Sequence, residues 1–160
     1  MGYILTVLYD GLKAAMADVE KSVLVPHSSQ QMFDLVDGVE NYPQFLPWCG
    51  GTDVKWRDDT TTLATIMIDF HRVKQSFTTE NAKQIPSLIE MKLQDGPFRH
   101  LEGSWRFTSL NEAACKVEFR LHYEFSSKLL ESLVGPVFHH ITNNFVDAFV
   151  QRAEKIYGAP

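Results

Sequence analysis

The sequence predicts an α+β domain in which a seven-stranded, curved antiparallel sheet wraps around one long C-terminal helix. Three observations lead to this prediction. Residues 51–125 form short segments with the two-residue period of strands, and no stretch of helical period between them is long enough to connect parallel strands. An apolar stripe with helical spacing runs from Val137 to Ile156. A further strand pattern precedes both regions, at residues 19–25.

The size and charge of the chain limit the classes of protein to which it can belong. Its 160 residues and 44% apolar content are typical of one globular domain. Eleven Phe, five Tyr and three Trp can fill a core or line a cavity with few side chains. The formal net charge is -5 and no run of like charges exceeds two residues, which argues against DNA binding through a basic tail.

We expect a single domain at residues 16–158, preceded by an extension at residues 1–15 that has no clear pattern. Met16 opens the first patterned segment, so a translation start at Met16 stays open. The apolar run at residues 3–9 is too short to span a bilayer, and no positive residue precedes it as a secretory signal requires. We therefore expect a soluble, cytoplasmic protein, and a peripheral position at the inner membrane stays open.

Two short helices are expected after the first strand. Ser28 or Ser29 can cap a helix that Gly38 ends. Residues 39–49 contain two prolines, which prevent a long helix. We interpret this segment as one short helical turn followed by an exposed apolar loop.

The remaining strands are separated by clusters of turn residues. The last one gives the clearest signal, because every second residue from Cys115 to Phe125 is apolar and the residues between them are polar. The six strands are expected at residues 52–57, 61–70, 73–81, 87–94, 101–110 and 115–125.

The C-terminal region predicts two helices. Leu129, Leu130 and Leu133 indicate a short one. Gly135-Pro136 then marks the entry to the long helix, because proline is favoured in a first helical turn, and the apolar stripe ends near Gly158.

The relative widths of sheet and helix predict a gap between them. Seven strands at a spacing of about 4.8 Å make a sheet roughly 29 Å wide. One helix is only about 10 to 12 Å across, so a flat sheet would leave apolar surface in water. The sheet must therefore bend around the helix, and the space left between them favours an apolar ligand cavity. A solid core stays open as the alternative.

No catalytic or metal-binding pattern is found. The six histidines have no zinc-binding spacing, and His139 and His140 diverge by about 100° around a helix. Cys49 and Cys115 match no redox or zinc motif, which fits a reducing compartment. Asp69 alternates with apolar neighbours and is expected to face solvent. We therefore predict no catalytic residue, no metal, no required cofactor and no enzymatic activity.

Several segments, taken in order, resemble one family over residues 17–158. The matching segments are Leu24-Val25-Pro26, Tyr42-Pro43-Gln44-Phe45-Leu46-Pro47, Asp95-Gly96-Pro97-Phe98, Gly103-Ser104-Trp105-Arg106-Phe107 and the strand at residues 119–125. The likeness is to the coenzyme Q-binding branch of the START-like helix-grip superfamily, which also contains the ribosome association toxins. It implies the helix-grip (START-like) fold. Cyclase and dehydrase labels attach to this superfamily by analogy of fold, so a cyclase-like enzyme is only a further alternative.

The resemblance implies two activities, of which we take quinone binding as the first. In that role the protein is a non-enzymatic lipid carrier or chaperone that supports respiration. It would bind a polyprenyl quinone such as ubiquinone and gain about 0.8 kcal/mol per buried methylene. Transient contact with a membrane would accompany this role. The predicted cavity residues are Phe70, Phe77, Met91, Trp105, Phe107, Phe119, Leu121, Phe138, Ile141 and Phe145, with Phe45, Leu46 and Trp48 at the mouth.

The second implied activity is that of a toxin that binds the large ribosomal subunit and blocks its joining to the small one. Binding to RNA would require a local basic surface, and the candidates are Arg72, Lys74, Arg99 and Arg106. His100 follows Arg99 where toxin-like relatives tend to carry a second firmly basic residue. This departure and the net charge of -5 place the ribosomal role second.

Overall fold

The computed structural model describes residues 16–158. The predicted N-terminal extension and the alternative start at Met16 concern residues 1–15, which lie outside the described residues. The described chain forms one antiparallel sheet in the order β1-β7-β6-β5-β4-β3-β2, with a long helix against it. The predicted fold class is confirmed. The strands are β1 (Met16–Val25), β2 (Cys49–Arg57), β3 (Thr61–Phe70), β4 (Val73–Gln84), β5 (Leu88–Asp95), β6 (Phe98–Asn111) and β7 (Ala114–Phe125).

Strand pairing decides where the strands end. β3 occupies the predicted residues, but most of the other strands extend past theirs. β4 continues to Gln84 because that residue pairs with Leu88 of β5. β6 begins at Phe98 because that residue pairs with Phe125 of β7. Residue propensity alone does not reveal these partners.

Irregularities in the register bend the sheet around the helix. Extra residues occur at two points in β2, at one in β5, opposite Thr78 and Thr79 of β4, and at two in β6. Each extra residue bends its strand and increases the local twist. The expected curvature therefore has a concrete origin in these strands.

The helices are α1 (Ser29–Asp37), a 3-10 helix (Val39–Gln44) and α2 (Lys128–Tyr157). Ser28 begins α1 with a capping box, in which its Oγ accepts the N–H of Gln31 at 3.1 Å and the Gln31 Oε1 accepts the N–H of Ser28 at 2.9 Å. Ser28, rather than Ser29, is therefore the residue that caps α1. The first backbone N–H groups of a helix have no carbonyl partner within the helix. These two side-chain oxygens accept hydrogen bonds from two such N–H groups.

The prediction of two separate C-terminal helices is wrong, because α2 is one continuous helix with Pro136 inside it. Proline removes one backbone donor and leaves the carbonyl of Ser132 without its usual partner. Ser132 and Pro136 both lie on the exposed side of the helix, where water can bond that carbonyl. The cost of the proline is therefore small enough for the helix to continue.

The core lies between the inner face of the sheet and α2. The alternating apolar residues of β7 are all buried, as predicted. Trp105 of β6 is 1% exposed, and its ring lies 4.6 Å from that of Phe119, 5.7 Å from that of Phe145 and 5.2 Å from that of Phe149. Aromatic contacts between strands and helix thus form the centre of the domain.

Candidate binding cavity and surface groove

An internal cavity of about 60 Å³ lies between the sheet and α2. Eight of the ten residues predicted from the sequence border it. Their role in ligand binding stays a prediction, since only their position is observed. These eight are Phe77, Met91, Trp105, Phe119, Leu121, Phe138, Ile141 and Phe145.

Phe70 and Phe107 do not border the cavity, contrary to the prediction. Phe107 is 1% exposed and packs against Phe33 of α1 with a ring separation of 6.0 Å, so it belongs to the core beneath α1. Phe70 lies at the end of β3, where its ring stacks on that of His140 at 5.8 Å. Alternation correctly turns both side chains inward, but it does not say where along the strand the cavity lies.

About half of the cavity wall consists of residues that the sequence did not predict. Val39 and Tyr42 come from the 3-10 helix, whose position over the end of the sheet no periodicity indicates. Three polar residues were also missed, although Thr79 and Asn81 lie two and four positions after Phe77 and therefore share its inward face. The missed residues are Val39, Tyr42, Ala64, Ile66, Thr79, Asn81, Leu101 and Thr142.

The polar groups of the wall are bonded to the protein itself. The Thr79 hydroxyl donates to the Asn81 side-chain oxygen at 2.9 Å, and the Thr142 hydroxyl donates to the carbonyl of His139 at 3.2 Å. Tyr42 is the one ionisable residue of this wall in the described part of the chain, and its hydroxyl donates to the carbonyl of Val36 at 2.5 Å. Burial raises the pKa of Tyr42 far above its usual range, so it stays neutral. The wall can hold an apolar group but offers no acid–base pair.

The size of the cavity restricts what it can hold. A cavity of roughly 150 Å³ is known to accept benzene, and ligand pockets commonly measure about 300 to 1,000 Å³. At about 60 Å³ the cavity is smaller than a single aromatic ring requires. A quinone could enter only if α2 or the loop at residues 44–48 moved outward.

The predicted exposed loop before β2 is instead packed onto the domain. Leu46 is 1% exposed and Trp48 is 7% exposed. Both are buried because the loop closes the open end of the sheet, where the ring of Phe45 lies 5.2 Å from that of Phe149. Of the three predicted mouth residues, Trp48 borders the cavity, whereas Phe45 and Leu46 are not part of its wall.

A second concavity, here called the groove, lies on the other side of this loop and measures about 450 Å³. It separates residues 44–48 from one face of α2. Trp48 and Ile141 border both the cavity and the groove, so these two side chains form the partition between them. From α2 the groove is lined by His140, Ile141, Asn144, Asp147, Ala148, Gln151, Arg152 and Lys155.

The four predicted basic residues do not form one cluster. Arg72 occupies the turn between β3 and β4, and Lys74 pairs across the ladder with Asp69, which faces solvent as predicted. Arg99 is bonded to Glu124 at 3.4 Å. Arg106 lies seven residues further along β6, a separation of roughly 20 Å at the usual strand rise. Their involvement in ribosome contact stays a prediction.

A buried ion pair anchors α1 to the sheet beside the cavity. Lys83 has a side chain that is only 2% exposed, and its Nζ lies 3.2 Å from the Asp37 carboxylate. The Thr62 hydroxyl donates to the other carboxylate oxygen at 2.8 Å. Arg57 reaches the same carboxylate at 3.7 Å and pairs with Glu40 at 2.6 Å. Five residues from five elements thus hold the helical end of the domain on the sheet.

Residues 16–158 contain neither a cluster of metal ligands nor a membrane-spanning helix. No group of three or more His, Cys, Asp or Glu side chains is arranged to hold a metal ion. No helix in this range combines the length and apolar character needed to cross a bilayer.

The curved sheet, the long helix and the apolar cavity between them define a START-like helix-grip protein, a class that shares a fold rather than one activity. Residues 25–150 match the family described as polyketide cyclase / dehydrase and lipid transport. The chain belongs to this family.

Two relatives differ in the function that their names state. The ribosome association toxin RatA of Vibrio cholerae is 45% identical over 143 residues, which span 89% of this chain and 99% of that protein. The mitochondrial coenzyme Q-binding protein COQ10 homolog B of Xenopus laevis is 30% identical over 145 residues, which span 88% of this chain and 59% of that protein. Both names describe binding or association rather than catalysis.

Solved structures confirm the architecture. A START superfamily protein from Mycobacterium smegmatis has a TM-score of 0.69 at 20% identity and covers 87% of this chain and 98% of its own. The Zhui aromatase/cyclase from Streptomyces sp. R1128 has a TM-score of 0.74 at 13% identity and covers 88% of this chain and 95% of its own. At these identities the similarity shows the fold alone.

Proposed function

We propose that the protein associates with the large ribosomal subunit and hinders its joining to the small subunit. The observation that carries this proposal is the 45% identity to a ribosome association toxin over 99% of that relative. The ribosomal role, second in the sequence analysis, thereby becomes the first. A ribosomal partner would also place the protein in the compartment that contains ribosomes.

The small size of the internal cavity favours ribosome association over quinone carriage. A volume of about 60 Å³ leaves no room for a quinone ring in the observed conformation. Ribosome association requires a surface rather than an internal cavity, so it needs no movement of α2. The absence of an acid–base pair from the described cavity wall also favours binding over catalysis.

Reassociation of purified ribosomal subunits tests the proposal. Small and large subunits are mixed in the magnesium concentration that normally joins them, with increasing amounts of the protein, and separated on sucrose gradients. We expect the joined fraction to fall and the protein to sediment with the large subunit. An unchanged joined fraction, with the protein left at the top of the gradient, would rule the proposal out. Heat-denatured protein serves as the control.

Quinone carriage is the second candidate, favoured by the aromatic and aliphatic cavity wall and by the Xenopus relative. The protein is purified from its host under mild conditions and extracted with organic solvent. Recovery of a prenyl quinone in near-stoichiometric amount would support this role. Absence of any prenyl lipid by mass spectrometry, together with no uptake from quinone-loaded vesicles, would count against it.

A further inference from the structure

We infer that the groove between residues 44–48 and α2 takes an unstacked nucleotide of ribosomal RNA. This inference rests on the proposed function and specifies which surface performs it. It also differs from the sequence prediction, because none of the four basic residues proposed there lines the groove.

The groove presents a flat, cationic stacking surface. The guanidinium carbon of Arg152 lies 5.1 Å from the centre of the Phe45 ring. The Arg152 Nη2 donates to the Gln44 side-chain oxygen at 2.7 Å, which holds the guanidinium in place. Proteins that recognise single-stranded RNA stack bases on aromatic rings and on guanidinium planes. A held guanidinium with a ring beneath it is therefore a suitable surface for a base.

Hydrogen-bonding groups surround this surface. Asn144 and Gln151 carry amides, which can both donate to and accept from the edge of a base. The Gln44 amide is already engaged, since its oxygen accepts from Arg152 and its nitrogen donates to Asn41 at 3.3 Å. The Asn144 Nδ2 is held by the carbonyl of His140 at 2.8 Å. Within residues 16–158, the side chains of Gln151 and Lys155 form no hydrogen bond or ion pair, so both are available to a ligand.

The local charge of the groove favours a phosphate. Its lining has two cations, Arg152 and Lys155, against one carboxylate, Asp147. The larger concavity on the outer face of the sheet has the opposite balance, with four carboxylates against Lys92 and Arg120. In a chain of net charge -5, the groove is thus a local positive site.

The volume and chemistry of the groove fit a nucleotide better than a peptide. About 450 Å³ lies within the range of small-molecule pockets, about 300 to 1,000 Å³. The exposed residues of the α2 face are His140, amides and charged side chains, whereas an apolar peptide would require exposed aliphatic positions. A base on the Arg152 guanidinium would have its edge towards the amides and its phosphate near Lys155.

The test compares two double variants for binding to purified large subunits. Lys155→Ser with Gln151→Ala removes the available cation and amide from the groove. Lys21→Ser with Gln84→Ala makes the same chemical changes at exposed positions on β1 and β4. All four residues are exposed, so both proteins should fold, and circular dichroism checks this.

We expect the groove variant to bind about tenfold more weakly, since one phosphate contact and one base contact are lost. The slope of log affinity against log salt should decrease by about 0.7 to 0.9, as expected for one phosphate. The control variant should match the wild type in both measurements. Equal affinity and equal slope for the groove variant would overturn the inference while leaving the proposed function intact.

Ultraviolet crosslinking of the wild-type protein to large subunits gives an independent result. Adducts of nucleotides on peptides containing residues 44–48 or 140–155 would support the inference. Nucleotide adducts found only on other peptides, or groove peptides joined to a ribosomal protein, would overturn it. If the wild-type protein does not bind the subunits at all, the proposed function fails and the inference with it.

Discussion

At the scale of single residues, the chemistry of a side chain predicts its orientation well where neighbours alternate in polarity. Asp69 faces solvent and Trp105 is buried, as their neighbours indicate. Lys83 is the opposite case. It lies beyond the predicted end of its strand and is an ordinary surface residue by composition, yet its side chain is buried against Asp37. A partner 46 positions away cannot be inferred from local pattern.

Asp37→Asn should lower the free energy of unfolding by about 3 kcal/mol, because it leaves the Lys83 ammonium buried without a counter-charge. Urea denaturation measures the change. Asp34→Asn, at an exposed position on the same helix, is the control and should stay within about 0.5 kcal/mol of the wild type. A loss for Asp37→Asn no larger than that of the control would show that the ion pair contributes nothing to stability.

Stability should decrease at alkaline pH because of two buried tyrosines. Burial raises the pKa of Tyr123 to about 12 and that of Tyr42 beyond the usual range, from an ordinary value of 10.0. Above pH 10 the unfolded chain releases protons that the folded protein retains, so the stabilisation is complete below pH 10 and is lost as pH rises through about 12. Tyr123→Phe should make the fall between these values shallower in urea denaturation. An unchanged slope would contradict this account.

At the scale of elements, a local signal predicts that a helix or strand exists, and contacts decide its limits. The sequence predicts a serine cap before α1, at Ser28 or Ser29, and the alternation in β7, and the structure selects Ser28 as the cap. The helix does not break at Pro136, because water on the exposed side of α2 can bond the carbonyl that the proline leaves without its usual partner. Strand ends likewise follow from ladder partners such as Gln84 and Leu88.

Two glycine substitutions should have opposite effects on stability. A Cβ at Gly103 of β6 would lie 2.5 Å from the carbonyl oxygen of Arg120, so Gly103→Ala must displace the backbone of β7. We expect a loss of about 1 to 3 kcal/mol. Gly135→Ala in α2 meets no atom closer than 3.7 Å and should stabilise the helix by about 0.8 to 1.0 kcal/mol. Thermal denaturation of both variants measures the difference, and two shifts of the same sign would contradict the prediction.

At the scale of the whole molecule, the cavity and the groove are alternative places for function. Trp48 and Ile141 border both. The cavity is apolar and small, whereas the groove is larger, more polar and locally positive. Filling the cavity therefore distinguishes a role of the interior from a role of the surface.

Ala64→Val places two further carbon atoms beside the cavity without adding charge. Since about 60 Å³ is free there, we expect stability to change by less than about 1.5 kcal/mol. Binding to the large ribosomal subunit should be unaffected, and any quinone uptake from vesicles should decrease. A clear loss of subunit binding in a variant that folds normally would indicate that ribosome association depends on the interior.

The sequence alone determined the fold class, the seven strands, the presence of a long C-terminal helix and most of the inward aromatic residues, because alternation and helical spacing are local properties of the chain. It did not determine the size of the cavity, the cover that residues 44–48 form over it, the pair of Lys83 with Asp37, or the groove beside Arg152. Each of these depends on contacts between residues far apart in the chain, and such contacts exist only once the sheet has curved around the helix.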